Sequence, residues 1–292
     1  MNPNIDIDET LSTIEVMLRQ EAVYSVSDYL SQLPASTTLE NPVDVSCRMV
    51  MAKWCSDICT FCHYGKETVQ IAMSCLDRFM ASPEGYSVLL DRSQFQLAVM
   101  TALYTSVKIH EHEAMDPKLV SKLSRGAHSA KAVEAMESRL LNAIGWRVNP
   151  PTSMSFVRQI LDLVPEHLLP QAERETVIEL AQLQVELAME SYDFCMMSAS
   201  SIAMASLFNA VEGVSSDGMF ISDFEDNLCE LTKIDNASLR QIRIYLYESI
   251  NGIEAMDVQF ETKHTECEPR YCAQNANKRP SITGESPRSV SM

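Results

Sequence analysis

Residues 59–63 read Cys-Thr-Phe-Cys-His. The C-x-x-C-H pattern is the attachment signature of a c-type haem. Two other groupings invite a metal reading: His110-Glu111-His112-Glu113, and Cys267 with Cys272 near the C-terminus. None holds up against its surroundings. On a helix, Met51, Trp54, Cys55, Ile58, Cys59, Phe61 and Cys62 fall at spacings of three and four, one broad apolar stripe. The cysteines then read as small core hydrophobes and His63 as a cap on the helix C-terminus. His110 and His112 are two residues apart, which points them away from each other on a helix. Cys267 and Cys272 have a four-residue gap and no histidine at ligand spacing. No nucleophile elbow, phosphate-binding loop or dinucleotide fingerprint occurs. The expectation is a protein without catalysis, without a metal and without a cofactor.

Charges placed where periodicity predicts core say more. In AKAVEAMESRLLNAIGW, Glu137 lies four residues after Val133 and four before Leu141, on the apolar face. In ETVQIAMSCLDRFMAS, Asp77 is flanked at helical spacing by Met73, Leu76 and Met80. A carboxylate buried on such a face requires a partner.

The elements that must position these side chains are helices throughout. With 292 residues, the chain suffices for one large domain or two of about 100–150 residues. A first series of helical periods covers roughly 42–62, 66–83, 93–110, 116–124 and 130–145, with SPEGYS among the separators. GWRVNPPTS cannot be helical through its two prolines and reads as a linker. A second series covers roughly 153–164, 171–190, 193–212, 221–232 and 236–254. Residues 8–33 read as one or two further amphipathic helices, with Asp8 or Thr10 as a candidate cap. The expected fold is therefore all-α: an N-terminal helical extension (1–41), two five-helix folds (42–148 and 149–256), and a polar, disordered tail (257–292).

Segments in this order and spacing resemble the cyclin family. CRMVMAKWCSDICTFCHYGKETVQIAMSCLDRFMAS is similar to the opening of a cyclin box, with Arg48 six residues before Trp54 and then Leu76-Asp77-Arg78-Phe79. FQLAVMTALYTSVKIHE resembles the third box helix, although SVKIHE stands where the family reads much like ASKFEE. AVEAMESRLLNAIGWRVNPPTSMSFVRQIL resembles the fifth helix and its exit. ELAMESYDFCMMSASSIAMASL is similar to the second cyclin fold, without the Pro that often precedes its Ser-Ile-Ala. The N-terminal extension resembles that of D-type cyclins, but lacks the Leu-x-Cys-x-Glu motif of many plant members.

The resemblance implies a regulatory subunit that binds and activates a cyclin-dependent Ser/Thr kinase in cell-cycle control. It implies that Lys108 and Glu137 contact the kinase's regulatory helix, and that Arg48 pairs with Asp77 to hold the box together. It implies a docking groove for Arg-x-Leu motifs of substrates or inhibitors, built from Cys47, Val50, Met51, Trp54, Asp57 and Gln96. An alternative use of the same fold is an adaptor that binds peptide in transcription or signalling. The formal charge of −17 argues against a phosphate backbone as a direct partner. No run of 18 apolar residues or signal peptide is visible, so no membrane association is expected, and the nine cysteines are expected reduced, in nucleus and cytoplasm. In the tail, Ser286-Pro287-Arg288 is a candidate phosphorylation site in a stretch like the degradation tails of unstable cyclins.

Overall fold

The computed structural model describes residues 7–33, 42–164, 166, 169–214 and 218–261, with backbone alone for 218–221 and 251–261. Ser286, Cys267 and Cys272 lie outside these residues. Twelve α-helices and one 3-10 turn make up the described secondary structure, with no strand among it.

After α1 (Ile7–Glu21) and a 3-10 turn (Ala22–Tyr24), the first fold contains α2 (Val45–Cys62), α3 (Lys66–Met80), α4 (Pro83–Leu89), α5 (Arg92–His110), α6 (Pro117–Leu123) and α7 (Ala130–Ala143). The second contains α8 (Ser153–Asp162), α9 (Gln171–Glu190), α10 (Ala199–Val214), α11 (Gly218–Thr232) and α12 (Asn236–Glu261). Residues up to Ile250 form one unit, which holds both cores described here. α5 is the hub of the first core. Every residue from Leu97 to Val107 is buried, and α2, α3, α4, α6 and α7 all pack on it. α10 plays that part in the second core, against α8, α9 and α11. A hub helix surrounded by others has no solvent stripe, so its apolar residues run all round it.

Helix boundaries follow the caps. Asp44, Ser82, Asp91, Asp116 and Ser129 each accept a hydrogen bond from a backbone N–H of the turn they begin. Thr152 and Ser155 form a reciprocal capping box directly after Pro150-Pro151, so the linker ends in a built helix start.

Four sequence-based expectations need correction. SPEGYS is not a separator, because Pro83 occupies the first turn of α4, a helix additional to the five expected. The segment 25–33 is not helical: Tyr29 turns inward to full burial, and the Leu30 N–H donates to the Tyr192 hydroxyl (3.1 Å). Residues 193–198 precede α10 as turns, with Phe194 buried in the second core and the Ser198 hydroxyl accepting from the Ser201 N–H (3.2 Å). Asp8 and Thr10 lie inside α1 rather than capping it.

Candidate functional site

α5 and α7 run side by side, and near the end of α5 they bring Lys108 and Glu137 together. Lys108 Nζ donates to Glu137 Oε1 at 2.7 Å, and the Thr105 hydroxyl donates to the same oxygen at 3.2 Å. The Lys108 ammonium also stands 5.3 Å from the centre of the Tyr104 ring. Burial works against the Lys108 charge, but the hydrogen bond and charge of Glu137 outweigh it and raise the ammonium's pKa. The Lys108 side chain is 44% exposed while that of Glu137 is 13% exposed. Among the described residues, Glu137 Oε2 carries no hydrogen bond. The pair therefore presents a donor to solvent and an acceptor beside it, next to exposed Ile109. Such a pair can take up backbone groups of a docked helix end. Thr105 and Tyr104 were not singled out from sequence. Their positions, one turn before Lys108, are the signal that could have found them.

Arg48 and Asp77 form a bidentate ion pair between α2 and α3, at 2.9 Å and 2.8 Å. Both residues are buried. The third guanidinium nitrogen donates to the carbonyls of Met189 and Glu190 at the end of α9 (3.0 and 3.1 Å), and the Tyr29 hydroxyl donates to Asp77 Oδ1 (2.8 Å). Burial disfavours the Arg48 charge, yet the Asp77 carboxylate beside it more than compensates and raises its pKa. Four segments remote in sequence are thus joined at one charge: 29, 48, 77 and 189–190. No local pattern announces Tyr29 or the α9 carbonyls.

The remaining candidates divide between α2 and α5. On α2, Cys47, Met51 and Trp54 are half-buried and packed against the first core, whereas Val50 is 63% exposed and Asp57 is exposed. Gln96, near the start of α5, is half-buried, and its Oε1 lies 3.2 Å from Nε2 of His128. His128 is buried, and burial lowers its pKa. Against a carboxamide oxygen the ring nitrogen is the donor, so the Gln96 NH2 is turned the other way, a contact between remote segments that leaves no periodic trace in sequence.

Cys55 and Cys59 are buried in the first core and Cys62 is half-buried. Burial pushes the Cys59 thiol up to about 12 and raises that of Cys55 as well. His63 ends α2 in the left-handed conformation (φ 58°), its N–H directed at the carbonyls of the last turn. His110 Nε2 meets the Val148 carbonyl at 3.1 Å. Among the described residues, no three His, Cys, Asp or Glu side chains gather as metal ligands do.

Residues 13–149 match the model of the cyclin N-terminal domain, and residues 151–274 that of the cyclin C-terminal domain. Curated relatives include G1/S-specific cyclin-E1 of Rattus norvegicus, 25% identical over 176 residues, which are 58% of this chain and 40% of that protein. G1/S-specific cyclin-D1 of Mus musculus is 24% identical over 199 residues, covering 67% of this chain and 65% of that protein. G2/mitotic-specific cyclin S13-7 of Glycine max is 27% identical over 164 residues, 56% and 59% of the two chains. The aligned part thus spans about two fifths to two thirds of these relatives' length. Among solved structures, a viral cyclin from herpesvirus saimiri superposes with a TM-score of 0.59 at 18% identity, over 80% of this chain and 97% of that one.

Proposed function

Because the chain belongs to the cyclin family, we propose that it is the regulatory subunit of a cyclin-dependent Ser/Thr kinase and activates that kinase by binding the productive arrangement of its regulatory helix and activation loop. The supporting observation is the Lys108–Glu137 pair, with a half-exposed ammonium and, beside it, a carboxylate oxygen that has no hydrogen bond among the described residues. Those groups provide a donor and an acceptor for backbone at a helix end, and each charge-assisted bond contributes about 1.5–3 kcal/mol. Contacts made only with the active conformation shift the kinase population toward it. Under this reading catalysis belongs to the partner.

The groove reading places Val50 and Trp54 at the floor for an apolar residue, with Asp57 as the acidic contact for an arginine and Gln96 as a donor. In the tail, Ser286 serves as a phosphorylation-dependent degradation signal, and the chain works in nucleus and cytoplasm. The test is affinity purification of the tagged chain from cells, scored for a co-purifying protein kinase and for its activity on a Ser/Thr-Pro peptide. Recovery of kinase with the wild type and its loss with Lys108→Ala supports the proposal. Recovery of peptide-bearing partners without any kinase would instead favour a cyclin-fold adaptor.

A further inference from the structure

The segment after α1 passes over the ends of α3 and α7 and leaves a cleft of about 470 Å3. Its polar lining is Arg78, Arg147, Ser25, Ser27 and Ser82, with Val26 among the apolar walls, and no Asp or Glu lines it. That is unusual in a chain with 40 acidic and 23 basic residues. Two exposed arginines find carboxylates, Arg92 at 2.7 Å from Asp44 and Arg158 on Glu67, whereas Arg125 and Arg240 make no ion pair among the described residues. What sets this cleft apart is two arginines in one lining that holds no carboxylate. Among the described residues neither Arg78 nor Arg147 makes an ion pair.

Arg78 is held in place. Its Nε donates to the Ser74 carbonyl (3.2 Å), its Nη2 to the Arg147 carbonyl (2.8 Å), and the guanidinium stacks over the Tyr24 ring at 4.5 Å. Nη2 also donates to Cys75 Sγ (3.4 Å), and among the described residues Nη1 carries no hydrogen bond. Burial lowers the Arg78 pKa, the nearby Cys75 thiol and Tyr24 hydroxyl oppose it, and the charge of Arg147 adds a small further lowering. Two like charges thus share a partly desolvated cleft without a counter-charge, an arrangement that an anion relieves.

We infer that this cleft binds a phosphate monoester, with Arg78 as the fixed donor, Arg147 as the second cation and the hydroxyls of Ser25 and Ser27 as further donors. Two guanidinium groups match the charge of a dianion, and a tetrahedral phosphate accepts from several directions where a carboxylate accepts in one plane. The cleft is several times larger than the phosphate group, and the apolar wall at Val26 suits the carbon skeleton that bears it.

The test is isothermal titration of the full chain with three probes: inorganic phosphate, an acetyl-Ala-phosphoSer-Ala-amide peptide and its unphosphorylated form. Arg147→Glu is the decisive variant, because its side chain is exposed and only its backbone carbonyl serves Arg78. Arg240→Glu, an exposed site on α12, makes the same charge change elsewhere. The expected result is saturable binding of a phosphorylated probe, weakened at least about tenfold in Arg147→Glu and little altered in Arg240→Glu. Preference for the phosphopeptide over inorganic phosphate and over the unphosphorylated peptide supports a monoester, and preference for inorganic phosphate overturns it. Absence of saturation with both, or equal weakening by the two variants, overturns the inference.

Discussion

Arg48 and Asp77 are 2% and 3% exposed, whereas the Lys108 side chain keeps 44% of its surface in water, and that contrast sets the buried structural pair apart from the pair proposed to meet a kinase. Arg48→Ala leaves Asp77 buried with only the Tyr29 hydroxyl for company. Removing one partner of a buried pair costs about 3–5 kcal/mol, so urea unfolding should show a large loss. Lys108→Ala should change stability by less than about 1 kcal/mol, because the half-exposed ammonium is screened by solvent and Glu137 keeps the Thr105 hydroxyl as a donor. The same variant should abolish kinase activation in vitro. Normal activation by Lys108→Ala would remove this pair from the interface. Sequence periodicity alone placed Glu137 and Asp77 on apolar faces. It offered no sign of Tyr29, 48 residues from Asp77, because a hydrogen bond between remote segments leaves no periodic trace.

α4 shows what pattern reading loses at the scale of an element. Ser82, Pro83 and Gly85 are turn residues by composition, and seven residues are too few to display a helical period. Their positions decide otherwise: Ser82 is the cap and Pro83 sits where a missing N–H costs nothing. Gly85 is required for a different reason. A Cβ built there would lie 2.2 Å from the Phe79 carbonyl oxygen and 2.6 Å from the Met80 Cα, both backbone atoms that cannot step aside. Gly85→Ala should therefore push α4 off the end of α3 and destabilise the first fold by about 1–3 kcal/mol. An unchanged denaturation midpoint would mean that α4 can shift freely. The long helices are readable because apolar residues recur over several turns, on one face in α3 and α7 and all round in the hubs α5 and α10.

At the scale of the whole molecule, Cys59 of the C-x-x-C-H stretch, Cys195 and Cys229 are thiols withdrawn wholly or partly from water. Burial pushes Cys59 and Cys195 up to about 12 and Cys229 to about 11, against an ordinary value of 9.0. Groups whose folded pKa is raised stabilise fully below the unfolded value, and that contribution fades as pH climbs from 9 through the folded values. The melting temperature should hold up to about pH 8.5 and fall by about pH 10.5, with a shallower fall in Cys59→Ala; a flat profile would count against these thiols being buried. The N-terminal helix belongs to the same whole. Read from sequence, residues 1–41 look like an appendage to the first fold, since an amphipathic helix does not disclose which core its stripe will meet. In the structure, Ile14 is fully buried in the second core, with Met17 and Leu18 packed beside it and α1 lying along α8. The Glu21 carboxylate then accepts from the Ser200 N–H (3.0 Å) and hydroxyl (2.5 Å), fastening the end of α1 to the start of α10. Burial raises the Glu21 pKa and the Ser200 hydrogen bonds draw it back, so the carboxylate depends on that contact. Ile14→Ala should cost about 2–5 kcal/mol, the penalty of a buried aliphatic truncation. Deleting residues 1–21 should uncover the apolar surface of α8 and lower the denaturation midpoint by more than Ile14→Ala does. A truncated chain as stable as the full one would make α1 the appendage its sequence suggests.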